Sequence, residues 1–121
     1  PDEISGLDLN ERRALVEDVC RAVLPLTEQD HTEVTVLSEL ITAARLRPEF
    51  RPLARRMGAD LREVLQRALR AAEAPDPESA TARLASLISG ISFELLYPHG
   101  GGGVDEAIDV LRGHLAEAIP A

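Results

Sequence analysis

Proline and glycine divide the sequence into five segments, and within each one apolar residues recur at the three- and four-residue spacing of an amphipathic α-helix. The interruptions are Pro25, Pro48, the turn at 74–77 and the run from Pro98 to Gly103. Because proline begins or ends helices and a glycine run favours a loop, these positions set the helix boundaries. We therefore expect an all-α fold, a bundle of about five amphipathic helices over roughly residues 8–24, 28–46, 49–73, 77–96 and 104–118.

Three of these helices begin with residues suited to capping. Asp8 and Glu11 have the form of a capping box, Thr27 precedes an acidic first turn, and Asp76 stands before Pro77. At 121 residues, the chain suits a single domain covering residues 1–121. It is rich in alanine, leucine, arginine and glutamate, which favour helices, and poor in the aromatic residues that favour strands.

The cysteine content and the hydropathy of the sequence indicate the cellular compartment of the protein. Cys20 is the only cysteine, which excludes an internal disulfide and a thiolate-rich metal site and suggests a reducing compartment. We expect Cys20 to be a small buried hydrophobe. No apolar run approaches the roughly 20 residues that cross a bilayer, and no signal segment opens the chain. The sequence therefore predicts a cytoplasmic protein that does not bind a membrane.

The charge of the chain is unevenly distributed. The formal net charge is −8, which disfavours nucleic acid as a partner of the chain as a whole. Yet eight of the thirteen basic residues, all arginines, lie between Arg45 and Arg70 among only three acids, so that stretch has a net charge of +5. A solvated helix face with Glu63 and Arg67 paired is the preferred interpretation, and a phosphate-binding patch is the alternative.

The residue patterns of active sites and metal sites are not found in this sequence. The glycine run lacks the lysine and the serine or threonine of a phosphate-binding loop, which makes it a spacer. Glu39 and Glu94 have no nucleophile beside them. The histidines fall on different predicted elements without metal-binding spacing: His31, His99 and His114. We therefore expect no enzymatic activity, metal or cofactor.

The fourth predicted helix carries more apolar surface than one contact can cover. Ala85, Phe93 and Leu96 lie about 100° around the helix from its main apolar stripe, and Gly90 suggests close approach of another helix. A central position in a monomeric bundle is one explanation. The preferred one is a dimer interface built from the last two helices, formed by Leu84, Ile88, Ile91, Leu95, Ile108, Leu111 and Leu115.

The order of helices and turns resembles the C-terminal regulatory domain of TetR-family transcriptional repressors. The resemblance rests on the turns Leu24-Pro25-Leu26-Thr27, Arg47-Pro48-Glu49-Phe50-Arg51 and Pro75-Asp76-Pro77-Glu78. The segment from Leu84 to Phe93 is similar to the penultimate helix of that family, in which an apolar run contains a small or acidic residue followed by glycine.

The resemblance implies a homodimeric repressor domain that binds a small effector, with DNA contacted only by an N-terminal helix-turn-helix domain that residues 1–121 do not contain. An apolar effector would favour one arrangement of the helices. The alternative is a helical protein–protein interaction module without a small ligand. The inward stripes of the first four helices predict the pocket lining, which is Cys20, Leu37, Ile41, Met57, Leu61 and Phe93.

Overall fold

The computed structural model describes residues 6–121, and within that range the chain forms α-helices and one short 3₁₀-helix without a strand. The 3₁₀-helix spans Pro48–Phe50. The α-helices are α1 (Leu9–Val23), α2 (Glu28–Ala43), α3 (Arg51–Ala71), α4 (Pro77–Leu96) and α5 (Val104–Ala118). The predicted all-α fold is confirmed.

The helix starts follow the capping residues. The backbone N–H of Glu11 donates to the Asp8 carboxylate at 2.8 Å, and the Glu11 side chain accepts from the backbone N–H of Asp8 at 3.3 Å, which completes a capping box. Thr27 and Asp76 likewise accept from backbone N–H groups in the first turns of α2 and α4. Each bond satisfies one of the N–H groups that a helix N-terminus leaves without an intrahelical partner.

The third helix differs from the sequence prediction at both ends, and local backbone geometry explains both differences. The second helix also ends earlier than predicted, at Ala43. Arg47 is extended before Pro48, and the 3₁₀-helix occupies the turn in which the third helix was predicted to begin. At the other end, α3 stops at Ala71 because Glu73 adopts a left-handed conformation with φ of 59°. The N–H groups of Glu73 and Ala74 donate to the carbonyls of Arg70 and Leu69, a Schellman ending with glutamate where glycine is usual.

Four helices enclose the core. α1 packs on α3 and α5, and α4 packs on α3 and α5, so these four helices form a closed ring. Their inward side chains are fully buried, among them Val16, Leu65, Leu84 and Leu111. α2 lies outside the ring against α3 and α4 and contributes no buried residue.

Polar contacts tie α1 to the C-terminal helix. The Glu17 carboxylate accepts from Arg112 Nε at 2.7 Å and from Arg21 Nε at 3.0 Å. The pKa of Glu17 lies below its ordinary value, chiefly because of the hydrogen bond from Arg112, while partial burial opposes the shift. Arg13 Nε donates to the carbonyl oxygen of Ile119 at 2.8 Å. The contacts of Glu17 with Arg112 and of Arg13 with Ile119 join residues about a hundred positions apart in the sequence, whereas Arg21 supports Glu17 from within α1.

Candidate functional site

The side chains predicted to line a ligand pocket do not gather around a common cavity. Leu37, Ile41 and Phe93 are 45%, 50% and 56% exposed, and Met57 and Leu61 are half-buried on α3. Cys20 is fully buried among core side chains, as predicted, and burial raises the pKa of its thiol to about 12. Because Leu37 and Ile41 face solvent, the prediction that they lie on the inward side of α2 is wrong.

The rotation of α2 explains the error. Its half-buried positions include His31, Val34, Thr35 and Ser38, which recur at helical spacing on one side. The apolar residues in the later part of this helix spread over a wide arc, so the side that carries Leu37 and Ile41 was an equally good candidate for the inward face. In the folded chain that side faces solvent.

The seven side chains predicted to form a dimer interface are buried within the chain itself. Leu84 and Leu111 are fully buried, and Leu95, the most accessible of the set, is 9% exposed. The full set holds the core of the ring, and it consists of Leu84, Ile88, Ile91, Leu95, Ile108, Leu111 and Leu115. A second copy would therefore have to contact α4 and α5 through other side chains.

Those helices have a second, exposed side with matching helical spacing. The exposed residues Ser86, Gly90 and Phe93 on α4 and Glu106, Val110 and Gly113 on α5 follow the same pattern of four and then three residues. We call this six-residue surface the α4–α5 outer face. A Cβ atom added at Gly90 or Gly113 would meet nothing within 4 Å, so neither glycine is required by packing within the described chain.

A groove of about 510 Å³ runs between α4 and α5 beside the outer face, and we call it the α4–α5 groove. Leu87, Ile91 and Val110 give it apolar walls, and His31 reaches it from the first turn of α2. Glu94 and Glu106 supply carboxylates at the end nearest the glycine run. Sequence reasoning missed this groove because its walls come from three helices that are separated in the chain.

The glycine run closes one end of the α4–α5 groove. A Cβ atom on Gly101 would come within 3.3 Å of the Glu94 carboxylate, and one on Gly102 would overlap the Glu106 side chain. Gly103 has a φ of 82°, a conformation that L side chains rarely adopt. The run therefore does more than span a distance, since a side chain at Gly102 would displace Glu106 and one at Gly103 would require a rarely adopted backbone conformation.

The exposed end of α4 carries a small aromatic cluster. The rings of Phe93 and Tyr97 are 5.3 Å apart between centroids, and those of Phe93 and His99 are 5.4 Å apart in an edge-on arrangement. His99 Nδ1 also lies 2.6 Å from the backbone carbonyl oxygen of Tyr97. This cluster explains why Phe93 points away from the core.

A second groove between α4 and α5, of about 290 Å³, contains a buried histidine nitrogen. His114 Nε2 is shielded from solvent and has no hydrogen-bond partner among residues 6–121. Burial lowers the pKa of His114; the Glu117 carboxylate opposes this shift and Arg83 adds to it. The groove also borders Asp76 and Ser79 at the start of α4.

The described residues contain no cluster of three or more histidine, cysteine or carboxylate side chains placed to hold a metal ion. Within residues 6–121, no helix is both long and apolar enough to cross a membrane. The apolar walls and carboxylates of the α4–α5 groove suit it to noncovalent binding through apolar contact, hydrogen bonds and charge.

Comparison with known proteins gives one match. A family model described as "BetI-type transcriptional repressor, C-terminal" matches residues 12–120. No curated protein and no solved structure matches the chain significantly.

Proposed function

Because the chain belongs to the C-terminal domains of BetI-type transcriptional repressors, a group within the TetR family, we propose that it is the effector-sensing and dimerisation domain of a cytoplasmic repressor. In this proposal a small, largely apolar molecule binds the domain and changes how an N-terminal helix-turn-helix domain, outside this sequence, binds its operator. The effector would act by favouring one arrangement of the dimer over another.

The observation that carries the proposal is the α4–α5 groove. Its volume of about 510 Å³ lies within the range of roughly 300–1,000 Å³ typical of small-molecule sites. Apolar walls with a few polar groups at one end are also typical of such sites, because the walls provide affinity and the polar groups fix the orientation of the ligand. His31, Glu94 and Glu106 would have that orienting role.

The α4–α5 outer face is the proposed dimer interface. Gly90 and Gly113 would let helices of a second copy approach closely, and Phe93 and Val110 would bury exposed apolar surface. Glycine inside a helix costs about 1 kcal/mol relative to alanine, so two such residues on one exposed face favour a close partner there. Gly90 and Val110 belong to both the face and the groove, which would couple ligand binding to the dimer contact.

A ligand screen by thermal stabilisation tests the sensing function. A ligand that binds only the folded chain raises its melting temperature, and at one hundred times its dissociation constant it adds about 2.7 kcal/mol. Leu87→Trp would fill part of the α4–α5 groove and should abolish the shift. Leu53→Trp places the same ring on the exposed surface of α3 and should leave the shift intact. Equal loss in both variants would place the ligand elsewhere.

Sedimentation equilibrium tests the dimer. Val110→Arg should produce monomers, because it puts a charge into the proposed interface. Val64→Arg on α3 is a matched control, since both valines are 46% exposed in the single chain, and it should leave the dimer unchanged. A monomeric wild-type chain at tens of micromolar would contradict the proposal.

One observation favours the alternative of a protein–protein interaction module. The exposed surface of α2 and of the turn after it includes Val36, Leu37, Ile41 and Leu46, which form an apolar surface that nothing in the described chain covers. In that case, alanine at Leu37 and Ile41 would weaken partner capture, and no small molecule would raise the melting temperature.

A further inference from the structure

We propose that the turn between α2 and α3 and residues 51–62 of α3 form a surface that contacts the phosphate backbone of double-stranded DNA without reading its sequence. This inference goes beyond the sensing function, in which DNA is contacted by another domain only. The surface consists of Arg45, Arg47, Arg55, Arg56 and Arg62, and we call it the arginine surface.

The ion pairs of the described chain leave this surface available. Arg67 pairs with Glu63 at 2.8 Å and Arg70 lies 3.8 Å from Glu78, so the last two arginines of α3 face nearby acids. Among residues 6–121, the members of the arginine surface make no ion pair. All five are exposed.

The position of α3 explains why these side chains reach solvent. Leu65 and Leu69, in its second half, are fully buried in the ring. No residue of the first half, 51–60, is buried, so that half projects beyond the core. Arg51 supports the turn before it, since its Nε donates to the carbonyl oxygen of Ala44 at 3.2 Å. The surface is thus carried on structured backbone.

Screening allows an acidic protein to bind DNA through one basic end. At physiological ionic strength the Debye length is about 8 Å, so a phosphate responds to the charges close to it more than to the net charge of −8. Glu49 and Asp60 are the two acids within the stretch 45–62, which contains six arginines and so has a clear positive excess, and Glu63 just beyond it is paired with Arg67. The acidic remainder of the chain would repel DNA and so orient the domain with its arginine surface inward.

The residue types favour duplex phosphates over other anionic partners. Every basic residue is an arginine, whose planar fork of donors fits phosphate oxygens in pairs. Arg55 and Arg62 lie on one side of α3 and are separated by about 10.5 Å of helix rise, within reach of phosphates along one strand. The only aromatic residue in the stretch, Phe50, is half-buried, so bases of a single strand would find no exposed ring to stack on.

The test uses this chain and a labelled DNA duplex of arbitrary sequence, with fluorescence anisotropy followed across a series of salt concentrations. We expect weak binding at low salt, and a plot of log affinity against log salt with a slope of about −3 to −4, as for four neutralised phosphates. The double variant Arg55→Ala/Arg56→Ala should flatten that slope by about 2. Both side chains are exposed, so circular dichroism should show an unchanged fold.

The matched control removes the same charge from the same helix. Arg67→Ala/Arg70→Ala eliminates the two ion-paired arginines and should leave the slope unchanged. Absence of salt-dependent binding by the wild-type chain would overturn the inference, as would equal flattening in both double variants. Because Leu46 is 87% exposed beside Arg45 and Arg47, anionic vesicles of phosphatidylserine and phosphatidylcholine form a further arm. Binding to these vesicles without binding to the duplex would also overturn it.

Discussion

The ring of α1, α3, α4 and α5 differs from the outer helix α2 in how much apolar surface it buries. In the ring, apolar side chains from four helices are nearly inaccessible to solvent. In α2 no residue is buried, and Leu37 and Ile41 are about half exposed. Burial of apolar surface stabilises a fold by about 25 cal/mol per Å². The ring therefore holds the domain together, whereas α2 is free to shift or bind with little loss of stability.

Truncation of one leucine in each region tests this contrast most strongly. Leu69→Ala should lower the free energy of unfolding by about 2–5 kcal/mol, because it leaves a cavity in a fully buried site. Leu37→Ala should cost less than about 1 kcal/mol, since nearly half of that side chain already faces water. Urea denaturation of both variants measures the difference. Similar losses would mean that α2 belongs to the same cooperative core.

The second prediction concerns the polar side of the ring. Glu17→Gln should lower stability at neutral pH by up to about 1 kcal/mol, because Arg112 and Arg21 lose an ionised acceptor and both are partly exposed. The pKa of Glu17 is lowered in the folded state, so the stabilisation is present above its ordinary value of 4.5 and is lost as the pH falls through the folded value.

Thermal unfolding across the acidic range measures this effect. The wild-type chain should lose more stability than Glu17→Gln between neutral pH and pH values below 4.5. The matched control is Glu63→Gln, whose partner Arg67 is strongly exposed, and it should change neither stability nor pH dependence appreciably. Parallel curves for wild type and Glu17→Gln would show that the contact between α1 and α5 adds nothing.

The comparison of the ring with α2 also shows which features of the fold can be predicted from the sequence. The capping residues Asp8, Thr27 and Asp76 and the prolines are local signals, and they located all five helices. The end of α3 was not predicted from local signals, because the left-handed position after a helix is usually glycine and here it is Glu73. The inward side of α2 depends on how the helix rests on α3 and α4, and its apolar residues do not specify one side.

The candidate site was less predictable than the fold for a physical reason. The strongest apolar stripes of α4 and α5 were assigned to a partner, but a single chain buries its strongest stripes in its own core first. The α4–α5 groove and the contact of Glu17 with Arg112 join residues from distant parts of the sequence, which helical periodicity does not relate. Gly90 suggested the close approach of another helix, but within the described chain nothing lies within 4 Å of a Cβ atom added there.

The third prediction uses two exposed glycines with the same local environment. A Cβ atom at Gly58 on α3 or at Gly90 on α4 would meet nothing within 4 Å. Alanine at either position should therefore stabilise the isolated chain by about 0.5–1 kcal/mol through helix propensity. Only Gly90→Ala should weaken dimerisation, because the added methyl group would separate the proposed α4–α5 outer faces. Sedimentation and thermal unfolding together distinguish the effects, and equal dimer affinity in the two variants would remove Gly90 from the interface.

The smallest expected effect concerns His114, at the boundary between the core and the second groove. Burial lowers its pKa below the ordinary value of 6.5, although Glu117 opposes the shift, so the unfolded chain takes up the proton first as the pH falls. Stability should therefore be unaffected by this group above pH 6.5 and should decrease below it. His114→Gln should remove that decrease, whereas the control His31→Gln should retain it because it leaves His114 in place. Chemical denaturation between pH 7 and pH 5 measures the difference, and it stays above the acidic range in which the stabilisation by Glu17 is lost. If His114→Gln followed the wild-type pH dependence, the shielded Nε2 atom would have to be reaching solvent or a hydrogen-bond partner in solution, and the second groove would be more open than its side chains indicate.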